Sequence, residues 1–208
     1  MKTAIRICPG FTLVEVLTTI AIITILAAIS FGVLTGVNEK KAVSQATVEI
    51  AAISSALERF KATHGTYPVN DNYVANTNNL LLLALAGVGD ADGNALPTDQ
   101  MRKSYISLEG YSISFADDSA RQAFYDNPSA GALSGLDILD PWGEPYRYFY
   151  DRIQAATSWR NPSFVLYSVG PDLAESVPSA LQGGNGVVEV EDFEGLDVSN
   201  LDNVFANQ

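Results

Sequence analysis

Gly10-Phe11-Thr12-Leu13-Val14-Glu15 leads into a run from Val16 to Val37 that contains no charged residue. Ile, Leu, Val and Ala dominate this run, and its polar positions (Thr18, Thr19, Thr24, Ser30 and Thr35) are small hydroxyl residues that can bond back to a helix backbone. About 20 such residues suffice to cross a hydrocarbon core as a helix. Glu15 is the anomaly, because a carboxylate near the bilayer centre costs roughly 2.5–3.5 kcal/mol on insertion scales. A plain anchor gains nothing from it, whereas a helix whose acid later meets a cation in an assembly does. Lys2 and Arg6 precede the run; Lys40 and Lys41 follow it. A cleaved secretory signal is the main rival reading. It calls for an apolar stretch of about 7–15 residues and a small-residue cleavage site beyond it. Here the stretch is longer, opens with an acid and continues into another helical pattern.

Beyond Val37 the apolar residues become periodic. Val43, Ala46, Ile50, Ile53, Leu57 and Phe60 recur at steps of three and four, which marks one face of an amphipathic helix. Glu39, Lys41, Glu49, Glu58, Arg59 and Lys61 fall mainly elsewhere around it. Gly65 and Pro68 supply stop signals. The spacing therefore predicts one helix from about Phe11 to His64, roughly 80 Å long at about 1.5 Å per residue. Its first part, 11–37, is apolar all round and projects, fit to anchor in a membrane or bundle with copies of itself. Its second part, 38–64, packs on a globular head, 65–208.

In the head, Leu80 to Leu85 reads as a short helix closed by Gly87, and Asp117 to Tyr125 as a helical turn or two. Ile106–Leu108, Tyr111–Phe115, Tyr146–Tyr150 and Ser163–Val169 read as strands, with Val187–Val190 as a further candidate. Asp140-Pro141-Trp142-Gly143 is turn chemistry, with Trp142 as a buried plug. The fold class is α+β: a long N-terminal helix against a small antiparallel sheet.

The chain has 208 residues and a formal charge of −12. That balance argues against a nucleic-acid partner, which needs a basic patch to displace counterions. Cys8 is the single cysteine, so no intramolecular disulfide can form. No catalytic constellation emerges. His64 is the one histidine, with no nucleophile-elbow motif to pair with it, and Gly183-Gly184-Asn185-Gly186 lacks the lysine of a phosphate loop. Asp90-Ala91-Asp92-Gly93-Asn94 resembles half of an EF-hand but lacks the later ligands. An enzyme is not expected.

Gly10 to Glu15 with the apolar run resembles the class III signal of type IV pilins and type II secretion pseudopilins. Gly65-Thr66-Tyr67-Pro68 resembles the turn ending the long helix of that family. Asp140-Pro141-Trp142-Gly143-Glu144-Pro145-Tyr146-Arg147-Tyr148 and Tyr167-Ser168-Val169-Gly170-Pro171-Asp172 resemble the C-terminal half of the major pseudopilins. Departures are Pro9, where a basic residue is commoner, and Gly32, where a proline is common. The resemblance implies that 1–10 is a leader, that a prepilin peptidase cuts between Gly10 and Phe11, and that Phe11 is then N-methylated. It implies that Glu15 neutralises the terminal amine of a neighbouring subunit. The expected partners are copies of the chain, other pseudopilins, an inner-membrane assembly platform and the membrane itself, with the head in the periplasm and a separate ATPase supplying the work. It also implies a calcium ion held by the loop after the last long strand. Gly170-Pro171-Asp172 and Asp197-Val198-Ser199-Asn200 match the two ends of that loop, and Asp192 is a further candidate ligand. Two other roles stay open: a minor type IV pilin in adhesion or DNA uptake, and a monomeric membrane-anchored binding protein.

Overall fold

The computed structural model describes residues 11–69, 79–94, 96, 97, 99–115, 117–126, 136–151, 159–174, 177, 181, 186–188 and 204–206, the side chains of 29–37, 79 and 124 excepted. The chain forms two compact units, Met1–Lys41 and Ala42–Gln208. It is α+β and pilin-like: the described residues form one long helix, two short ones and two small antiparallel sheets.

Helix α1 runs from Leu13 to His64. In the first unit its apolar side chains stand in the open, among them Leu13, Leu17, Ile20, Ile23 and Leu26. The hydroxyls described there bond back to the helix. Thr18 bonds to the Val14 carbonyl at 3.0 Å, Thr19 to Val16 at 2.9 Å and Thr24 to Ile20 at 2.7 Å. Among the described residues no helix is long and apolar enough to cross a membrane.

In the second unit the same helix buries a stripe of Ala46, Glu49, Ile50, Ile53, Ala56, Leu57 and Phe60, the spacing expected of one helical face. Val43, expected on that face, is exposed instead; the head's buried cluster takes its first residue from one turn further on, at Ala46. The helix ends where Gly65 takes φ +79 and returns its N–H to the Lys61 carbonyl at 2.7 Å, a left-handed cap that glycine adopts without strain. Tyr67 then folds back, donating to Glu58 Oε1 at 2.6 Å with Lys61 Nζ 4.2 Å above its ring.

Helix α2, Asn79–Ala86, is hydrophobic all round from Leu80 on, and Leu80–Leu85 are correspondingly buried. The chain leaving it is stitched to its last turn: Val88 and Gly89 bond to the Leu83 carbonyl, Arg102 to Gly87, and Tyr105 and the Ser104 hydroxyl to Leu85. This overturns the expected strand over Ile106–Leu108. The preceding backbone is committed to the end of α2, and Leu108–Gly110 closes a 3-10 turn.

Strand β1 (Ser112–Ile113) pairs antiparallel with β2 (Ile138–Leu139), placing Ser112 opposite Leu139. Between them lies α3, Asp118–Asp126, started by the Asp117 carboxylate accepting the Ala120 N–H at 2.8 Å. The second sheet has the order β3–β4–β5, all antiparallel, with β3 Arg147–Phe149, β4 Val165–Ser168 and β5 Val204–Phe205. Tyr148 faces Leu166, and Tyr167 faces Phe205.

The aromatic run 146–150 carries buried rings on both faces because both are covered. Tyr146, Tyr148 and Tyr150, with Leu166, join the main core over α1 and α2. Phe149, Tyr167 and Val169 point the other way, into a second cluster with Trp159 and Leu181, as the two-residue period of a strand requires. Trp142 is only half-buried at the edge of the main core, whereas Trp159 is 1 % exposed. The plug is thus Trp159, whose indole donates to the Asn161 carbonyl at 2.9 Å. Gly186 lies so close to that ring that a Cβ would sit 2.4 Å from it. Val187 and Val188 do not form a strand, and 189–190 lie outside the described residues.

Candidate processing and assembly site

Phe11 and Thr12 are not helical, and Phe11 is 82 % exposed. The helix begins two residues later than its apolar pattern suggests, for a local reason. Glu15 Oε2 accepts both the Thr12 N–H at 2.8 Å and the Thr12 hydroxyl at 2.7 Å. In return the Glu15 N–H points to Thr12 Oγ1 at 3.3 Å, and the Val16 N–H to the Thr12 carbonyl at 3.3 Å. Thr12 and Glu15 are therefore the two ends of a capping box, each side chain satisfying the other residue's backbone donor. The negative carboxylate also stands at the positive end of the helix dipole. Thr12 had no role in the sequence reading, although threonine three residues before glutamate at the head of an apolar helix is the pattern that signals it. Gly10, the residue expected before the cut, lies outside the described residues.

In the other unit, Asp172 sits after β4 in a turn whose backbone is left-handed at Gly170 (φ +80) and Leu173 (φ +58). It is exposed, and its Oδ1 accepts the Ala174 N–H at 2.9 Å. Asp192 and Asp197, the other expected ligands, lie outside the described residues. Among the described residues no three His, Cys, Asp or Glu side chains converge in a way that could hold a metal. The EF-hand-like segment is self-contained: Asp90 Oδ1 accepts the Asp92 and Asn94 N–H groups at 2.9 and 2.8 Å, closing its own loop. His64 stacks on Phe60 at 4.0 Å between centroids, with Nδ1 3.1 Å from the Phe60 carbonyl oxygen.

The DPWG turn proves structural in a way the sequence did not show. Asp140 is 2 % exposed. Its Oδ1 accepts the Trp142 and Glu144 N–H groups at 3.0 and 2.9 Å, and its Oδ2 accepts the Ser168 hydroxyl from β4. The turn before β3 is thereby tied to the strand that pairs with β3. A second buried acid, Glu49 of α1, accepts from Tyr146 Oη at 2.6 Å and from Gln45 Nε2 at 2.7 Å. Burial, and then this bond to a carboxylate, push the Tyr146 phenol far above its ordinary range.

Residues 6–31 match the family model of the prokaryotic N-terminal methylation motif. The match contains Phe11, Thr12 and Glu15 and extends along α1. No curated protein matches the chain, and no solved structure does. The motif supports a type IV pilin-like structural subunit. A signal of this class implies processing by a prepilin peptidase, anchoring through the N-terminal helix and assembly with other pilins into a filament.

Proposed function

We propose that the chain is a subunit of a type II secretion pseudopilus or a closely similar filament. It is held in the inner membrane by a single pass of α1 with the head in the periplasm, is cut between Gly10 and Phe11, methylated on Phe11 and then drawn into the fibre. The observation that carries this reading is the methylation motif laid over an exposed Phe11 and an apolar helix whose one acid stands at its start. The absence of any cysteine after Cys8, and the likeness of Asp140–Tyr148 to the major pseudopilins, favour a pseudopilin over a disulfide-looped adhesive pilin. Glu15 neutralises the terminal amine of the next copy, since opposite charges attract strongly where water is scarce. Other pseudopilins and an assembly platform complete the machine.

Mass spectrometry of the protein recovered from membranes tests the first half. It should show a chain starting at Phe11 with one added methyl; a chain retaining residues 1–10 overturns the reading. Cross-linking tests the second half. The native chain should give ladders, and Glu15→Ala should stay in the membrane without forming them.

Calcium belongs to the same proposal. Asp172 is the one candidate ligand with a described position, on an exposed turn that leads into the acidic stretch holding Asp192 and Asp197. A hard cation suits such carboxylates. Because Trp159 packs against Gly186 within the loop after β4, its fluorescence and the melting temperature should both respond to added calcium and revert with chelator. No change in either removes calcium from the scheme.

A further inference from the structure

The carboxylate of Glu15 already has a partner inside its own chain. Oε2 takes two bonds from Thr12, one from the backbone and one from the hydroxyl, while among the described residues Oε1 takes none. The acid at stake in assembly is thus tied back to the first turn of α1 through Oε2. We propose that Thr12 is the positioning residue for Glu15: its hydroxyl holds the carboxylate at the start of α1, where the terminal amine of a neighbouring copy meets it. The inference rests on the subunit reading above and adds to it a residue and a geometry.

The physical argument has two parts. A glutamate side chain has several rotatable bonds, and fixing them when a partner arrives opposes association. Thr12 fixes them beforehand. The hydroxyl bond is also charge-assisted, so it eases the desolvation of the acid in apolar surroundings before any cation is present. Neither effect needs Thr12 to touch the partner copy. Both need its hydroxyl, and the backbone N–H of residue 12 survives any substitution except proline. The contribution of the side chain can therefore be separated from that of the cap as a whole.

The test uses the full chain in membranes, as Thr12→Val, Thr12→Ser, Glu15→Gln and Thr12→Val/Glu15→Gln. Valine keeps the shape and loses the hydroxyl; serine keeps the hydroxyl. The readouts are the mass of the mature N-terminus and the yield of cross-linked ladders. Thr12→Val should be cut normally yet give several-fold fewer ladders, Thr12→Ser should restore them, and the double variant should be no worse than Glu15→Gln alone. Ladders from Thr12→Val equal to those of the native chain, or a further loss from valine in the Glu15→Gln background, overturn the role of Thr12. Failure of the native chain to form ladders is a different result: it overturns the subunit reading itself, and this inference with it.

Discussion

Two residues in the head carry more than their chemical type suggests. Asp140 is an acid in the core with three donors turned on it, from Trp142, Glu144 and Ser168. Removing the acceptor leaves those buried donors without partners, at about 1–3 kcal/mol each. Asp140→Ala should therefore lower stability by about 3 kcal/mol or more, or roughly 6–12 °C in melting temperature for a head of this size. Ser168→Ala removes one donor to Asp140 and the acceptor of the Gly170 N–H but leaves the other two donors satisfied, and should cost less, about 1–2 kcal/mol. A melt that ranks the two the other way would show that the turn does not depend on the carboxylate. Gly186 is the second case. It sits at φ +66 with the Trp159 ring where a Cβ would go. Gly186→Ala meets both a strained backbone and a collision with a fully buried ring, and should cost about 1–3 kcal/mol. The emission of Trp159 should move to the red as the loop lifts from it; unchanged emission and stability would refute the contact.

At the level of elements, what the sequence disclosed is what is local. A helix closes its hydrogen bonds within four residues, so the three-and-four spacing from Ala46 to Phe60 and the stop at Gly65 could be read directly. Strands β2 and β5 are two residues long and exist through partners distant in the chain, Ser112–Ile113 and Tyr167–Ser168. No run of two residues carries a period, and neither strand was expected. The same distinction explains the tryptophans, because which indole is buried depends on Gly186 returning to Trp159 from far along the sequence. At the candidate site, Phe11 and Glu15 stood out by their chemistry, whereas Thr12 is marked only by its spacing from Glu15, which the helix start turns into two hydrogen bonds. The face of α1 also yields a test. Ile53 is fully buried and Val48, on the same helix, is 66 % exposed. Ile53→Ala should cost about 2–5 kcal/mol, and Val48→Ala less than about 0.5 kcal/mol in either direction. Denaturation followed by tryptophan emission reports on the head, where both indoles lie. Equal losses would mean that α1 is not seated on the head by the stripe from Ala46 to Phe60.

For the molecule as a whole, alkaline pH is the sharpest probe of the core. Tyr67, Tyr111, Tyr146 and Tyr148 all have phenols pushed above their ordinary range, in each case chiefly by burial. Glu58 adds to the effect at Tyr67, and Glu49 at Tyr111 and Tyr146. Unfolding releases these groups to titrate near about pH 10. A group whose folded pKa lies above its unfolded one contributes its stability fully below the unfolded value and loses it as pH rises beyond. Lys61, raised through its interaction with Tyr67, acts in the same direction. Asp137, raised by burial, has its window at the acid end: its contribution is present below the ordinary carboxylate range and is lost as pH rises through the raised value. New tyrosinates would also join a chain that already carries −12, so self-repulsion adds to the loss. The melting temperature should stay level from neutral pH to about pH 9 and fall steeply above about pH 10. Tyrosinate absorbance from the buried rings should appear together with unfolding, in one step. If instead those phenols ionise near pH 10 while tryptophan emission still reports a folded head, then water already reaches the layer of tyrosines between α1 and the β3–β4–β5 sheet, and the packing that joins helix to sheet is not the source of the head's stability.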